Sequence, residues 1–181
     1  MRKVHSRGTI RSATLEDLKG VLDILNITNK AFYRAIVPPE TFREPYLAVE
    51  ELAGEFKRKD FYLYELEGKP IGVAAFEARD RGVAVVDRVY VLPDFQRRGI
   101  GAALLTHIER RAAKRGVREI VLWTDSKAAW AIRFYKRLGY SEIDQAAVYK
   151  DAYIDERAKL HGTQLVVLWK RLASDETPVF S

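Results

Sequence analysis

The sequence predicts an α/β protein, of the α+β type with a mixed sheet of about seven strands flanked by about four helices. Two observations carry this prediction. Short apolar segments with strand composition alternate with longer segments whose apolar residues recur at helical spacing, and glycine- or proline-rich turns separate them. With 181 residues, 48% of them hydrophobic and 31% charged, we expect one domain over 1–181. Its core should span about 9–172, followed by a flexible tail at 173–181.

The first elements are a strand and two helices. Residues 9–13 have the composition of a short strand, and Thr14 followed by Asp17 is typical of a helix N-terminus. The first helix is predicted to end before the two prolines at 38–39, and a second helix is expected across 44–59. The predicted buried stripes comprise Leu15, Leu18, Val21, Leu22, Leu25 and Ile27 in the first helix, and Leu47, Val49, Leu52 and Phe56 in the second.

The middle of the chain is predicted to form three strands and a third helix. The strands occupy residues 60–93, with turns at 67–70 and 80–82. The helix is expected over about 101–115, with Gly116 at its C-terminal cap. The side chains that this helix is predicted to bury are Leu104, Leu105, Ile108 and Ala112.

The last elements are a strand, a helix and two closing strands. Residues 119–124 are largely apolar, as in a strand that is buried on both faces. A helix is predicted within 126–140, and two strands are expected within 141–149 and 163–172. The apolar side chains spaced by four along this last helix are Trp130, Phe134 and Leu138.

Composition narrows the class of protein. The absence of cysteine excludes disulfides and thiolate sites, and the three scattered histidines lack metal-ligand spacing, so we expect no metal. We expect a cytoplasmic protein without a membrane partner, because no apolar run or secretory signal is present. The net charge of +6 suits a polyanionic ligand, but the basic residues are interspersed with acids, so no nucleic-acid partner is predicted. Scarce Asn and Gln beside abundant Arg and Glu favour a thermophilic source.

One segment indicates a ligand. A strand-like run gives way to Gln96–Ala102 (QRRGIGA), where a helical pattern begins. Two glycines let backbone N–H groups approach a ligand closely, and a helix N-terminus favours an anion. A dinucleotide fingerprint would need glycine at Leu104, and a Walker loop would need Gly-Lys-Ser/Thr, so neither fits. The segment is therefore either a cradle for phosphates or a tight turn with solvated arginines.

Two motifs together resemble those of the GNAT superfamily of N-acetyltransferases. The first is Gln/Arg-x-x-Gly-x-Gly/Ala, and the second, about 35 residues later, is Ala-x-x-x-Tyr-x-x-x-Gly-Phe. One helix and one strand separate them, as in the family. The family often carries Asn seven residues before the tyrosine, but this chain has Ala128. The matching residues are Gln96, Gly99 and Gly101 in the first motif and Ala131, Tyr135 and Gly139 in the second, with Tyr140 in place of Phe.

The resemblance implies the GNAT acyl-CoA N-acyltransferase fold, with acetyl-CoA as co-substrate and no metal. It places the pantetheine arm along the main chain of the fourth strand, like an added strand. It places the pyrophosphate on the turn. The cofactor-binding residues that it implies are Val89, Tyr90 and Val91 for the arm, and Gln96, Arg97, Arg98, Gly99, Ile100, Gly101 and Ala102 for the turn, with Tyr135 near the sulfur.

The resemblance also implies catalytic roles. Tyr135 occupies the family position of the proton donor to the departing thiolate, although a packed aromatic would look the same in sequence. Asp87 is the first candidate for the general base, Glu77 and Asp125 follow, and deprotonation through ordered water is an alternative. A backbone N–H around Val89 would stabilise the oxyanion.

The function that follows is acetyl transfer from acetyl-CoA to a primary amine by direct attack in a ternary complex. The amine belongs to a small molecule or to a protein or peptide, and the resemblance places acceptor specificity in residues 29–42 and 145–162. The alternative is a non-catalytic CoA-binding sensor or interaction module of the same fold, which Ala128 favours and Tyr135 opposes. A homodimer is left open.

Overall fold

A mixed β-sheet with helices on both faces organises the chain. The structure is a computed structural model that describes residues 8–79, 82–143 and 164–172. These ranges contain seven strands, β1 (Thr9–Ser12), β2 (Asp60–Leu66), β3 (Lys69–Arg79), β4 (Val83–Val91), β5 (Glu119–Asp125), β6 (Ser141–Ile143) and β7 (Leu165–Arg171). They also contain four α-helices, α1 (Leu18–Tyr33), α2 (Val49–Phe56), α3 (Ile100–Ala113) and α4 (Ala129–Arg137).

The strands lie in the order β1-β2-β3-β4-β5-β7-β6. Every neighbouring pair in the described chain is antiparallel except β4 and β5, which run parallel because α3 crosses between them. The prediction of a mixed sheet with about seven strands and four helices is confirmed. The predicted turn at 80–82 and the closing strands fall partly on residues outside the described ranges, as does the whole of 173–181.

Helices α1 and α2 cover one face of the sheet. Val21 and Leu25 of α1 and Leu52 of α2 are fully buried against β2 and β3. The predicted stripes are wrong at three positions, because Leu15, Ile27 and Val49 are exposed. Ile27 lies about 200° around the helix from Leu25, which turns it to solvent, and the other two lie at the start of a helix or just before it.

Helix α3 covers the opposite face, as predicted. Its predicted stripe is entirely buried, and it packs with Phe76, Val86 and Leu122 of the sheet. On α4, Trp130 is 39% exposed and lies beside Tyr33, with ring centroids 5.9 Å apart. The four buried side chains of the α3 stripe are Leu104, Leu105, Ile108 and Ala112.

The parallel strands β4 and β5 part after three residues. Pairing joins Val83–Val85 to Glu119–Val121, and in the described chain the remainder of β4 has no partner on that side. β5 instead continues along β7 as far as Asp125. The gap between β4 and β5 therefore opens at residues 86–91 of β4, immediately before the segment that leads into α3.

A β-bulge interrupts β4 in this unpaired half. Val73 lies opposite Tyr90 and Ala75 opposite Asp87, so β4 contains one more residue than β3 between these pairs. Arg88 has a left-handed φ of 57°, and its N–H donates to the Asp87 carboxylate at 2.8 Å. As a result, the side chains of Asp87 and Arg88 both point towards α2 instead of alternating.

A buried ion network fills the space between the bulge and α2. The Arg88 guanidinium, 0% exposed, donates to both carboxylate oxygens of Glu55 and to the Tyr46 hydroxyl. Lys59 lies between Glu55 at 3.1 Å and Asp87 at 2.7 Å. Burial opposes the charge on Glu55, but the hydrogen bond and charge of Arg88, with Lys59, outweigh it and lower the pKa of this carboxyl.

We expect Arg88→Met to lower the free energy of unfolding by about 3–5 kcal/mol, because it leaves the buried Glu55 without its main partner. Urea denaturation measures the loss. The double variant Arg88→Met with Glu55→Leu removes both charges, so it should recover part of the stability. A double variant that is no more stable than Arg88→Met would assign the loss to packing instead of charge.

Candidate active site

The segment between β4 and α3 forms a turn that presents backbone N–H groups. Arg97 and Gly99 have left-handed φ angles of 62° and 80°, and no side chain caps the helix at Gly99. The Ala103 N–H donates to the Gly99 carbonyl at 2.9 Å and starts the hydrogen bonds of α3. The N–H groups of residues 100–102 therefore lack acceptors inside the helix. Together with the helix dipole, they favour an anion at this end of α3.

The two glycines of the turn serve different purposes. A Cβ at Gly99 would meet nothing within 4 Å, so Gly99 is required by its left-handed backbone. A Cβ at Gly101 would lie 3.2 Å from Phe134 of α4. Gly101 thus permits the close approach of α4 to the first turn of α3.

The polar side chains of the turn are used mainly to hold it. The Gln96 amide donates to the Val91 carbonyl at 2.9 Å, which ties the turn to the end of β4. Arg98 donates to the Asp94 carbonyl at 3.1 Å and lies over the ring of Phe95. Arg97 and Arg98 are exposed, so contacts from their side chains to a phosphate stay predictions, as does a cofactor contact from Gln96.

The main chain of β4 faces the gap at Val89 and Val91. The Leu92 N–H donates to the Ile71 carbonyl of β3, so the adjacent Val91 has its main-chain groups on the opposite edge. The Val91 carbonyl accepts hydrogen bonds from Gln96 and from Thr28 of α1, the latter at 3.4 Å. Main-chain groups of successive residues point to alternate edges of a strand, so those of Tyr90 point to β3. An added strand would therefore use Val89 and Val91, and the predicted main-chain contact at Tyr90 lacks support.

A cavity lies between α1 and the ends of β4 and β5. Two carboxylates and four aromatic rings line it, a combination that suits a cationic amine. The lining residues are Asn29, Tyr33, Val37, Tyr46, Asp87, Tyr90, Trp123, Thr124, Asp125 and Leu165. We call it the acceptor cavity.

Both carboxylates of the acceptor cavity are fixed in place. Each oxygen of Asp87 already accepts a hydrogen bond, one from Lys59 and the other from the Arg88 N–H. Asp125 is buried and accepts the N–H of Lys127 at 2.7 Å, which closes the turn after β5. The positions of both carboxylate groups are therefore set by the fold and not by mobile side chains.

Two of the phenols beside these carboxylates, Tyr33 and Tyr90, are neutral. Burial raises the pKa of Tyr33 to about 12, although the nearby Thr124 hydroxyl opposes part of that effect. Burial also raises the pKa of Tyr90 well above its usual value. Thr124 Oγ1 itself is buried and has no partner at hydrogen-bonding geometry in the described part of the chain.

Tyr135 lies on α4 at the other side of the gap. Its ring packs edge-on against Phe134 and Tyr140, with ring centroids 5.1 and 5.9 Å away. Burial raises the pKa of its phenol far above the usual value, and the Tyr33 phenol and the Asp87 carboxylate add to that rise. Tyr135 is therefore protonated at neutral pH, and the Asp87 charge acts on it electrostatically.

The structure brings some predicted residues together and leaves others apart. Asp87 and Asp125 share the acceptor cavity, whereas Glu77 is not among its lining residues and pairs with Arg79 at 3.2 Å. Ala128 is fully buried at the start of α4, so it offers no side-chain amide to a cofactor. Of the predicted specificity segments, 29–42 borders the cavity, and the whole of 145–162 lies outside the described ranges.

Sequence reasoning missed Asn29, Tyr33 and Tyr46 as individual lining residues, and it missed Lys59 as the partner of Asp87.

Across the described ranges, no helix is long and apolar enough to cross a lipid bilayer. No group of three metal-ligating side chains occurs in the same ranges. The cytoplasmic location, thermophilic source, homodimer and single-domain boundaries stay predictions.

An uncapped helix start that favours an anion therefore lies beside a gap in a mixed sheet, opposite a cavity with acids and phenols. Residues 22–140 match the acetyltransferase (GNAT) family, and the chain belongs to that family.

Curated relatives share this assignment over part of their length. An uncharacterised N-acetyltransferase of Methanocaldococcus jannaschii is 33% identical over 142 residues, which cover 74% of this chain and 61% of the relative. The Escherichia coli [ribosomal protein bS18]-alanine N-acetyltransferase is 41% identical over 59 residues, 33% of this chain and 40% of that protein. This chain therefore spans less than two thirds of either relative.

Solved structures confirm the fold. A PaiA N-acetyltransferase from Thermoplasma acidophilum, determined in complex with coenzyme A, superposes with a TM-score of 0.73 at 20% identity, covering 91% of this chain and 98% of that chain. The Escherichia coli ribosomal-protein-S18-alanine N-acetyltransferase gives a TM-score of 0.70 at 20% identity, with 96% and 99% covered.

We expect Gly101→Val to raise the dissociation constant of coenzyme A about tenfold or more, because the added side chain collides with Phe134 and displaces the first turn of α3. Isothermal titration calorimetry measures the change, and a thermal melt checks folding. Gly54→Ala is the control, since a Cβ at this exposed helical glycine meets nothing within 4 Å. Equal affinity in Gly101→Val and the control would remove this turn from cofactor binding.

Proposed function

We propose that this protein transfers the acetyl group of acetyl-CoA to a primary amine by direct attack in a ternary complex. The observation that supports this best is the position of two features on one short stretch of β4. The turn at 96–102, which we call the anion-binding turn because its N–H groups favour an anion, follows Val91. The acceptor cavity is lined by Asp87 and Tyr90. A thioester held along β4 would therefore meet an amine held in the cavity.

The residues present fit acetyl-CoA. The phosphates would be held by the N–H groups at the start of α3, and the pantetheine arm by the main chain of Val89 and Val91. Acetyl-CoA supplies an acetyl group activated as a thioester. The missing amide at Ala128 affects one side-chain contact and leaves the main-chain sites in place.

Asp87 is proposed to receive the amine proton, directly or through water. An alkyl ammonium must lose a proton before its nitrogen attacks. Asp87 lines the acceptor cavity, and its pairing with Lys59 and the Arg88 N–H fixes its orientation. Asp125 faces the same cavity and is the alternative.

Tyr135 is proposed to give its phenolic proton to the sulfur as the carbon–sulfur bond breaks and the new carbon–nitrogen bond forms. Its raised pKa keeps the proton on the phenol at neutral pH. The same raised pKa makes the Tyr135 phenolate unfavourable, so Tyr135 must regain a proton after it has protonated the sulfur. The proton that the amine releases balances the one that Tyr135 gives away.

The acceptor is a small molecule or a protein or peptide amine. The relatives that act on the alanine of ribosomal protein bS18 support an α-amino group as one candidate. A non-catalytic CoA-binding role is the alternative, and only Ala128 favours it. Release of free thiol from acetyl-CoA with a panel of amines tests the proposal, and coenzyme A binding without thiol release for any amine would favour the alternative.

We expect Tyr135→Phe to lower kcat by about 10²–10⁴-fold with little change in acetyl-CoA affinity, because only the transferable proton is lost. Steady-state kinetics and calorimetry separate the two quantities. Tyr140→Phe is the matched control, since Tyr140 is also buried but its hydroxyl donates to Glu109 at 2.9 Å. Unchanged turnover in Tyr135→Phe would exclude this phenol as the acid.

We expect Asp87→Asn to lower kcat/KM for the amine about 100-fold at pH 7, with the deficit narrowing as pH rises towards the pKa of the amine. Above that pH the amine is already neutral and needs no base. A rate profile from pH 7 to about 10 measures this convergence. A deficit that is the same at every pH would assign Asp87 to binding, and Asp125→Asn and Glu77→Gln would then be compared in the same way.

A further inference from the structure

We propose that Asn29 binds an amide group next to the reacting amine, and that the preferred acceptor is therefore the α-amino end of a peptide chain. This inference rests on the proposed acetyl transfer and specifies its acceptor. Asn29 lies on α1, one helical turn before Tyr33, and faces the acceptor cavity from the side opposite β4.

Asn29 lines both the acceptor cavity and a second cavity beside it, and is available to a ligand. It is 6% exposed, yet its amide makes no hydrogen bond to any residue in the described part of the chain. The other asparagine of the sequence, Asn26, is fully used, since it accepts from the Leu47 N–H at 3.0 Å and donates to the Leu47 carbonyl. Because Asn29 lines both cavities instead, its amide is open to a ligand that enters them.

The chemistry of Asn29 matches a peptide group. A carboxamide has one carbonyl acceptor and an NH₂ donor side by side, so it can pair with both the C=O and the N–H of a backbone amide. Thr124, across the cavity on β5, has a second buried oxygen without a partner at hydrogen-bonding geometry in the described part of the chain. An acceptor with an amide near its amine would satisfy groups that a simple alkyl amine leaves unpaired.

Asn29 also lies where two cavities meet. A second cavity adjoins the first, shares Asn29 and Tyr46 with it, and is lined by Ile27, Phe42 and Pro45. Its nearby charges are already paired, as in Lys30 with Glu44. An acceptor whose amine lies in the acceptor cavity can therefore extend past Asn29 and place the rest of its chain in the largely apolar second cavity.

The fixed charges disfavour a free amino acid. In an amino acid the carboxylate is one carbon away from the amine, which would bring it towards Asp87 and Asp125. Lys59 offsets the charge of Asp87, so the repulsion comes mainly from Asp125, which forms no ion pair in the described part of the chain. A peptide amide carries the same carbonyl geometry without the charge, so the site is complementary to the peptide and not to the free acid.

The test compares three acceptors that share an α-carbon amine: alanyl-alanine amide, free alanine and isopropylamine. Wild type and Asn29→Leu are assayed by thiol release, and the ratio of their kcat/KM values is taken for each acceptor, which cancels intrinsic amine reactivity. We expect the variant to lose about 10- to 100-fold with the peptide, mainly through KM, and less than about threefold with isopropylamine. Wild type should prefer the peptide to free alanine.

Asp23→Ala is the matched control, because Asp23 is exposed on the same helix and lines neither cavity. Thermal melts and coenzyme A binding verify that each variant folds. An equal loss with the peptide and isopropylamine, or a raised KM for acetyl-CoA, would overturn the role of Asn29. Wild-type preference for isopropylamine would overturn the acceptor class. Failure to acetylate any amine while coenzyme A binds would instead refute the proposed function.

Discussion

The bulge in β4 is the constraint on which the site depends. One extra residue sends Asp87 and Arg88 to the same side of the strand. A fully buried guanidinium is tolerable only with a carboxylate beside it, and Glu55 of α2 supplies that carboxylate. The pair therefore joins α2 to β4, and Lys59 extends the network to the Asp87 carboxylate at the cavity wall. Packing far from the surface thus sets the position of the proposed base.

The parting of β4 from β5 determines where ligands meet. After Val85 the main chain of β4 has no strand on one side, and Val89 and Val91 present their polar groups to the gap. The anion-binding turn lies at one end of this edge and the acceptor cavity beside it. The Gln96 and Thr28 side chains hold the Val91 carbonyl, so the edge stays extended where it is unpaired. In the proposed reaction, this single strand aligns acetyl-CoA and the amine.

Features with local causes could be predicted from the sequence. Alternation and helical spacing define β2 to β5 and the buried stripe of α3, and the glycine turn follows from two residues two apart. The errors concern apolar side chains that the fold leaves exposed. Ile27 falls on the outward side of α1, and Leu15 and Val49 lie at the start of a helix or just before it. Lys59 with Asp87, 28 residues apart, and the exposure of Asn29 to two cavities depend on tertiary packing. No spacing rule indicates them.

The fixed surroundings of Asp87 bear on which amine the site suits. Both of its oxygens already accept hydrogen bonds, so a proton from an incoming ammonium must compete with the Lys59 and Arg88 N–H donors. An alkyl amine with a pKa near 10.4 is neutral in only about one molecule in 2,500 at pH 7, a cost of about 4–5 kcal/mol. An α-amino group, with a pKa of about 7.7–8.0, is neutral in about one in ten and costs about 1 kcal/mol. Asp87, whose oxygens are already hydrogen-bonded, is a sufficient base for an α-amino group but hardly for an alkyl amine. The surroundings of Asp87 and the Asn29 amide, which lines both cavities, therefore favour the same proposed acceptor for independent reasons.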